Sequence, residues 1–281
     1  MLTVLEIIKR TTDFLEKRGV ESARLNAELI IGHALALKRM QLYLQFERPL
    51  SEMELEKIRP LVKRRGNREP VQYILGETEF SGLKLKVDRR ALIPRPETEY
   101  LIELITRRLT DAPASILDLG TGSGAIALAL AKTYPDAAVT AVDKSTEALA
   151  LARENAIATG LEQRVRLLES DWFTVVGANE SFSLIVANPP YLSDKETAEA
   201  PQEVREFEPM AALSAGADGT TDLSRIVSQA RAHLNSGGML ACETGIAQRD
   251  FLVEAASKAG YARTESLQDL TGRERYFLAF M

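Results

Sequence analysis

The sequence predicts an α/β fold in which an open, mostly parallel seven-stranded sheet with an antiparallel edge strand follows a small helical N-terminal domain. Three observations support this. Strand and helix patterns alternate after residue 113, which is the βαβ rhythm of a sheet covered by helices on both faces. Apolar residues in the first 72 positions recur at helical spacing. A glycine-rich turn at residues 120–124 separates a strand pattern from a helix pattern.

The N-terminal domain, residues 1–72, is predicted to consist of helices. The first helix has one apolar face and ends at Gly19; that face contains Val4, Ile8, Thr11 and Leu15. A second helix begins at Ser22, and its apolar stripe is predicted to contain Leu25, Leu29, Ile30, His33 and Leu37. We expect His33 to be packed or half-buried rather than to be a ligand. A third helix begins after Ser51, with Glu54 at the capping-box position, and runs to about Arg65.

Residues 73–92 are predicted to form a β-hairpin linker that turns at Ser81-Gly82, and residues 93–281 the catalytic domain. The predicted strands of that domain are residues 115–119, 138–142, 165–168, 182–187, 239–243, 261–266 and 276–280. Helices are expected from about Gly124, from Ser145 and over residues 222–234. The last two strands, separated only by a turn, are predicted to pair antiparallel at one edge of the sheet.

Composition excludes several classes of protein. A net charge of −5 argues against a protein that depends on wrapping nucleic acid. The single cysteine, Cys242, rules out a disulfide framework, and two histidines without a carboxylate cluster do not predict a metal site. The N-terminus lacks a signal-peptide core, and no apolar run approaches the roughly 18 residues of a membrane span. We therefore expect a cytoplasmic protein with no membrane partner.

The segment Asp118-Leu119-Gly120-Thr121-Gly122-Ser123-Gly124 lies between the first strand of the sheet and the next helix. Glycines at such a turn let the backbone come close to a ligand, and a helix start presents unpaired N–H groups. Asp143 ends the following strand, where its carboxylate can accept hydrogen bonds from both hydroxyls of a ribose. This arrangement predicts a site for an adenosine-containing cofactor.

The glycines alone do not identify that cofactor. Gly120, Gly122 and Ala125 also satisfy the loose dinucleotide pattern G-x-G-x-x-G/A, so NAD remains open at this point. Residues 169–173 follow the third strand and place a carboxylate and the ring of Trp172 near the expected position of adenine. Trp172 could equally be a core residue.

The tetrapeptide Asn188-Pro189-Pro190-Tyr191 directly follows the apolar strand of residues 182–187. Its prolines favour extended geometry and lack N–H groups, which makes the segment a stiff row of acceptors. The Asn188 side-chain oxygen and the Pro189 carbonyl could each accept one hydrogen of an NH2 group, while Tyr191 offers a flat face. The segment thus predicts recognition of an amide or of an amino group on a ring; a rigid turn is the alternative.

Taken together, these motifs and the segment Ile93-Pro94-Arg95-Pro96-Glu97-Thr98-Glu99 resemble the HemK/PrmC family over nearly the whole chain. Glu208-Pro209 followed by Ala212-Leu213 also resembles the Arg-Phe-Glu-Pro region of that family, although Glu206 here separates Arg205 from Phe207. Members of the family are S-adenosylmethionine-dependent N5-glutamine methyltransferases of class 1 peptide chain release factors. The resemblance implies a class I, Rossmann-like catalytic domain and a glutamine substrate in a Gly-Gly-Gln motif.

The resemblance also implies roles for individual residues. Asn188, Pro189 and Tyr191 are the expected catalytic residues, and Pro190 joins them as a substrate-binding residue. The expected cofactor-binding residues are Gly120, Thr121, Gly122, Ser123, Gly124, Asp143, Trp172 and Asn188. The proline-stiffened loop at residues 93–99 could be a connector or could close over a ligand.

Other hypotheses remain open from the sequence. A relative of the same class would methylate a glutamine of a ribosomal protein, and an adenine-N6 nucleic acid methyltransferase would place a flipped base on the same tetrapeptide. A cofactor-binding scaffold that has lost catalysis is a third hypothesis. The cluster Lys63-Arg64-Arg65 with Arg68 is predicted to be a solvated helix end, with contact to an RNA-rich partner as the alternative.

Overall fold

The computed structural model describes residues 2–281. Its α-helices are α1 (Val4–Lys17), α2 (Ala23–Leu35), α3 (Arg39–Tyr43), α4 (Glu52–Gly66), α5 (Val71–Leu75), α6 (Pro96–Arg108), α7 (Ala125–Thr133), α8 (Thr146–Ala158), α9 (Asp194–Glu199), α10 (Gln202–Phe207), α11 (Thr221–Ala230) and α12 (Arg249–Ala259). Its strands are β1 (Glu77–Phe80), β2 (Leu83–Lys86), β3 (Ser115–Leu119), β4 (Ala138–Asp143), β5 (Val165–Glu169), β6 (Phe182–Ala187), β7 (Leu234–Glu243), β8 (Arg263–Gln268) and β9 (Glu274–Phe280). No helix within residues 2–281 is long and apolar enough to cross a membrane.

The chain divides into two compact units. One comprises the residues up to Glu77 together with Pro201–Phe207, and the other comprises Thr78–Ala200 with Glu208–Met281. The smaller unit therefore includes α10, a helix that follows the Asn-Pro-Pro-Tyr segment by about ten residues. We refer to these as the helical unit and the sheet unit.

Capping boxes start two helices of the helical unit. Thr3 with Glu6 caps α1, and Ser51 with Glu54 caps α4, as predicted for the third helix. The predicted apolar stripe of α2 was wrong in part, because His33 is exposed and Leu25 is 40% exposed. Ile30 is buried as predicted, and the buried face of α2 also contains Ala23, Ala27 and Ile31. The small side chains of Ala23 and Ala27 allow close helix packing and are buried, whereas the larger Leu25, which the pattern placed in the stripe, is exposed.

The basic cluster at the end of α4 is paired within the helical unit. Arg64 forms a bidentate ion pair with Glu69, both bonds being 2.8 Å. Arg65 is buried rather than solvated, and it donates to Asn26 Oδ1 at 2.8 Å and to Glu203 Oε1 at 3.1 Å. Arg68 donates to the other oxygen of Glu203 at 2.7 Å. The three arginines of the cluster thus have partners within the helical unit, whereas Lys63 is exposed.

The hairpin of β1 and β2 turns at the predicted residues. Ser81 and Gly82 have φ values of 48° and 66°, the left-handed pair that a two-residue hairpin turn requires. The turn is further fixed because Ser81 N donates to Glu99 Oε1 on α6 at 2.7 Å.

The central sheet has seven strands in the order β5-β4-β3-β6-β7-β9-β8. Strands β3 to β7 are parallel, β9 runs antiparallel to β7, and the edge strand β8 is antiparallel to β9. This confirms the predicted mostly parallel sheet with an antiparallel edge. One buried cluster of apolar side chains covers each face of the sheet, the first around Leu128 and Leu184, the second around Ile185 and Leu223.

Several features of the sheet unit were missed from the sequence, among them the short helix α9. Strand β7 begins at Leu234, where a helix was predicted to end, and its register against β6 shifts between Phe182 and Leu184. The polar and glycine residues 235–238 have low strand propensity and fill this irregularity. Helix α12 was also not predicted; its N-cap, Gln248, makes no side-chain cap bond and gives no sequence indication of a helix start.

The strand order reverses at β3, which has β4 on one side and β6 on the other. The last residue of β3, Leu119, is level with Val142 on β4 and with Ala187 on β6. The segments after these three strands therefore leave the sheet at the same edge. Ligands of open α/β sheets bind at this kind of switch point.

Candidate active site

A cavity of about 190 Å³ opens at this edge of the sheet unit. The predicted site residues that line it are Gly120, Thr121, Gly122, Ser123, Asp143, Trp172, Asn188 and Pro190. Gly124, Pro189 and Tyr191 were also expected at the site but are not among the lining residues. Residues 90–95, Pro209 and Ala212 line it as well, and sequence analysis gave none of them a definite site role.

Three glycines of the turn between β3 and α7 adopt left-handed backbone conformations. Gly120, Gly122 and Gly124 have φ values of 70°, 56° and 83°. A Cβ atom on Gly120 would lie 3.2 Å from Cζ3 of Trp172, whereas one on Gly124 would lie 3.2 Å from Cβ of Ala152 on α8. Gly120 thus lets the loop pass close to the tryptophan, and Gly124 lets α8 approach.

Asp143 connects the glycine turn to the end of β4. Its Oδ2 accepts a hydrogen bond of 2.8 Å from Gly122 N, and its Oδ1 accepts one of 2.9 Å from Ser145 N. Ser145 in turn caps α8 by accepting from Ala148 N at 3.1 Å. Each carboxylate oxygen can accept a second hydrogen bond, so the half-buried side chain can still receive ligand hydroxyls at the cavity wall.

Asp118 is a buried carboxyl beneath the glycine turn. Its Oδ2 accepts from Thr121 Oγ1 at 2.6 Å and from Ala127 N at 3.1 Å. Its Oδ1 has no hydrogen-bond partner within residues 2–281. Burial raises the pKa of Asp118 to about 7, and the charge of Asp143 acts in the same direction. A cationic ligand above the turn would favour the ionised form of this carboxyl.

Trp172 is both a core residue and part of the cavity wall. It belongs to one of the two large apolar clusters of the sheet, and its indole Nε1 donates to Asp222 Oδ1 at 3.0 Å. Its φ of 53° is unusual for a residue with a side chain. Ser170 supports this conformation by donating to the Trp172 carbonyl at 2.8 Å. Trp172 can therefore be a core residue, as one hypothesis held, and also lie at the cofactor cavity, as the other held.

Asn188 is held by a chain of hydrogen bonds that begins on α6. Its Nδ2 donates to Thr98 Oγ1 at 3.1 Å, and Thr98 Oγ1 donates to Glu243 Oε2 at 2.7 Å. Tyr191 OH donates to the other oxygen, Glu243 Oε1, at 3.1 Å. Arg275 Nη1 donates to Tyr191 OH at 3.3 Å. Sequence analysis gave none of Thr98, Glu243 and Arg275 a role in the site.

The central residues of this hydrogen-bond chain are shielded from solvent. Thr98 and Glu243 are 4% and 2% exposed, and burial raises the pKa of the Glu243 carboxyl. Burial also raises the pKa of the Tyr191 hydroxyl, so Tyr191 stays neutral. Thr98 could have been suspected because it belongs to the proline-containing motif at residues 93–99. Glu243 could have been suspected because it ends a strand of the parallel sheet.

The loop before α6 covers part of the cavity. Arg95 forms an ion pair with Glu208, whose other oxygen accepts from Ile93 N at 3.2 Å. Pro94 and Pro209, the neighbours of this pair, line the cavity. Helix α6 begins at Pro96, where proline suits the first helical position. The loop before α6 therefore forms part of the cavity wall.

Within residues 2–281 there is no group of three or more His, Cys, Asp or Glu side chains that could hold a metal ion. Cys242 is a buried free thiol whose pKa is raised by burial to about 12. It is unsuited to act as a nucleophile or ligand in this state. The residues that line the cavity offer hydrogen-bond acceptors, the glycine backbone, the Trp172 ring and the cationic side chains of Arg90, Arg95 and Lys144.

Comparison with known proteins identifies relatives of the whole chain. Residues 6–76 match the PrmC N-terminal domain, and residues 96–206 match the methyltransferase small domain. The chain is 42% identical to the release factor glutamine methyltransferase of Rhodopirellula baltica, over 97% of this chain and 94% of the relative. Identity to the enzyme of the same name is 43% in Geobacter sulfurreducens, covering 97% and 95%, and 39% in Escherichia coli K12, covering 92% of each.

Solved structures share the fold of about 71–73% of this chain at low sequence identity. A 16S rRNA methyltransferase from T. thermophilus, solved in complex with AdoMet and guanosine, has a TM-score of 0.52 and 19% identity, covering 73% of this chain and 49% of that one. A methyltransferase from Pyrococcus furiosus has a TM-score of 0.52 and 22% identity, covering 71% and 88%. From the two domain matches and the extended similarity to curated relatives, the chain belongs to the family of release factor glutamine methyltransferases, which are S-adenosylmethionine-dependent enzymes with a Rossmann-like sheet.

Proposed function

We propose that this chain methylates the side-chain amide nitrogen, N5, of the glutamine in the Gly-Gly-Gln motif of class 1 peptide chain release factors. The single observation that carries the proposal is the orientation of Asn188 beside the glycine turn. Its NH2 group is occupied by Thr98, which leaves its oxygen as an acceptor for the NH2 of a substrate amide. The names of the curated relatives support the choice of substrate.

The residues present fit S-adenosylmethionine. Gly120 to Gly124 would approach its polar end, Asp143 would accept from its ribose hydroxyls, and Trp172 would form an apolar wall. The unpartnered oxygen of Asp118 beneath the turn also suits a ligand that carries positive charge. When bound, this cofactor supplies an electrophilic methyl group on a sulfonium sulfur.

The protein's task toward the substrate is placement. An amide nitrogen is a poor nucleophile because its lone pair is delocalised into the carbonyl, so the NH2 group must be held firmly in position. Asn188 Oδ1 and the Pro189 carbonyl would accept its two hydrogens and stabilise positive charge as it develops on nitrogen. Pro190 lacks an N–H, and Tyr191 would present its ring to the planar amide. A protonated amide loses its proton readily, so we assign no general base.

The same acceptors would exclude glutamate. The carboxylate oxygen that replaces the NH2 group would face both acceptor oxygens and has no hydrogen to donate to either. Such mismatches are worth several kcal/mol in a buried site. Selectivity and rate would therefore come from the same pair of acceptors.

We further propose that different segments of the chain have different roles. Residues 1–72 would dock the release factor, residues 73–92 would link the domains as a hairpin, and residues 93–281 would perform the transfer. A folded partner offers far more binding area than one glutamine, which supports a docking role for the helical unit. The reaction would take place in the cytoplasm without a nucleic acid requirement, in agreement with a single cysteine and an acidic chain.

The proposal is tested with purified protein, methyl-labelled S-adenosylmethionine and a class 1 release factor. The matched control is the same release factor with its Gly-Gly-Gln glutamine changed to alanine. Label on the first and none on the second is the expected result. No label on either would overturn the proposed substrate and direct the search to ribosomal proteins and to adenine bases, whereas equal label on both would overturn the proposed residue.

A further inference from the structure

The hydrogen bonds around Glu243 have a fixed direction. A guanidinium has only donors, so Arg275 must donate to the oxygen of Tyr191 and the single hydroxyl hydrogen of Tyr191 must go elsewhere. Its partner is Glu243 Oε1 at 3.1 Å. That oxygen is thereby an acceptor. The arrangement requires Glu243 to receive hydrogens on this side rather than to give one.

The other side of Glu243 sets the direction at Asn188. Oε2 accepts the single hydroxyl hydrogen of Thr98 at 2.7 Å, which leaves Thr98 Oγ1 able only to accept from its second neighbour. The second neighbour is Asn188, and only the NH2 end of its amide can meet an acceptor. The oxygen of the amide is consequently turned away from Thr98. Hydrogen bonds therefore run toward Glu243 from both ends of the chain.

We propose that Thr98 and Glu243 are positioning residues that fix which end of the Asn188 amide meets the substrate, and that they thereby set the preference for glutamine over glutamate. The inference rests on the function proposed above. Neither residue needs to touch the glutamine for this role, although Thr98 lines the cavity. If the Asn188 amide turned over, its NH2 would face the substrate and would favour a carboxylate oxygen.

Burial makes the orientation strict. Glu243 is almost inaccessible and does not line the cavity, so water cannot readily replace a missing partner at its carboxylate. A buried donor or acceptor without a partner costs about 1–3 kcal/mol. Without the acceptor on Thr98, the Asn188 side-chain amide would sample both orientations, because its oxygen and nitrogen ends have nearly the same shape.

Three variants test the proposal. T98V removes the hydroxyl at nearly constant volume, T98S keeps it, and E243Q replaces one carboxylate oxygen by an NH2 donor that can reverse the direction of the chain. The matched control is T106V on the same helix, whose hydroxyl donates to the Ile102 carbonyl at 2.9 Å. Each is compared with the unmodified protein for folding by thermal melt and for S-adenosylmethionine affinity by calorimetry.

The decisive measurement compares two forms of the release factor. The Gly-Gly-Gln form is the substrate, and a Gly-Gly-Glu form is used as an inhibitor, so that the ratio of inhibition constant to KM reports the preference for glutamine. We expect this ratio to fall about tenfold or more in T98V and E243Q, which corresponds to about 1.4 kcal/mol. We expect it to be unchanged in T98S and T106V. Cofactor affinity should change far less than this ratio, since the glycine turn, Asp143 and Trp172 are unaltered in every variant.

The outcomes separate this inference from the proposed function. A normal ratio in folded T98V and E243Q would overturn the positioning role and leave the proposed function intact. An unmodified protein that methylates no release factor would overturn the proposed function itself. A general loss of packing would lower kcat without changing the ratio, and that result also counts against the positioning role. If T98V does not fold, E243Q and T98S give the answer, because both preserve the shape of the site.

Discussion

Gly122 N donates a hydrogen bond of 2.8 Å to Oδ2 of Asp143 across 21 residues of sequence. The bond joins the glycine turn after β3 to the end of β4, so the residue expected to hold the ribose also shapes the turn expected to hold the rest of the cofactor. The other oxygen of Asp143 accepts from Ser145 N and supports the start of α8. Cofactor affinity should therefore depend on Asp143 in two ways.

Replacing Asp143 by alanine should weaken S-adenosylmethionine binding at least tenfold, because it removes the ribose acceptor and releases Gly122 N. The matched control is E169A, since Glu169 lies level with Asp143 at the end of the neighbouring strand and does not line the cavity. Calorimetric titration measures both. Unchanged affinity in D143A would remove Asp143 from the site.

Gly120 and Gly160 form a matched pair for backbone substitution, because their φ values are 70° and 72°. A Cβ on Gly160 meets nothing within 4 Å, whereas one on Gly120 lies 3.2 Å from Trp172. G160A should cost only the left-handed strain, about 1–2 kcal/mol, and leave cofactor affinity unchanged. G120A should cost more and weaken cofactor binding as well. Denaturant unfolding and titration of both variants check this, and equal effects would contradict it.

Replacing Asn188 by alanine should lower the rate of methyl transfer about 10²–10³-fold, because one of the two acceptors for the substrate NH2 disappears. Weak cofactor binding should persist. Single-turnover assays with labelled cofactor measure the rate, and titration measures the binding. Near-normal turnover in N188A would refute the proposed mechanism.

The ion pair of Arg95 and Glu208 is asymmetric, since the Arg95 side chain is 32% exposed and that of Glu208 only 1%. R95A leaves a buried carboxylate without its cation and should lower the free energy of unfolding by about 3 kcal/mol. The double variant R95A/E208Q removes the charge but keeps an acceptor for Ile93 N, so it should recover part of the loss. Urea unfolding of both variants provides the comparison; equal stability would show that the charge is not the cause.

The raised pKa of Asp118 leads us to expect a pH dependence of the free energy of unfolding. Its pKa is about 7 in the folded chain against an ordinary value of 3.8. Between these values the folded chain holds a proton that the unfolded chain has released, so the free energy of unfolding falls as pH rises from about 4 to about 7. The slope from this group is at most about 1.4 kcal/mol per pH unit. D118N should be less sensitive to pH across this range in urea unfolding, and parallel curves for the two proteins would contradict the assignment.

Local patterns in the sequence predicted most of the sheet unit. Strands β3 and β6 begin and end at the predicted residues, and Ser81-Gly82 turns the hairpin as expected. Such features depend on neighbouring residues alone: apolar runs, glycines that permit positive φ, and side chains that cap a helix three residues away. The glycine turn and the segment Asn188-Pro189-Pro190-Tyr191 could be placed at one sheet edge for the same reason, since both follow strands.

What the sequence by itself determined was thus the fold class and the sheet edge at which the segments after β3, β4 and β6 meet; the acceptor roles of Asn188 and Asp143 stay predictions. Only the tertiary structure decided the partners of these groups. Thr98 and Glu243 are 145 residues apart, and they meet because the strand order brings β7 beside β6 while α6 packs against β7. Glu208 meets Arg95 across 113 residues. No local sequence pattern predicts these long-range contacts. Both the partners and the direction of the hydrogen bonds depend on which buried donors and acceptors the folded chain brings within about 3 Å.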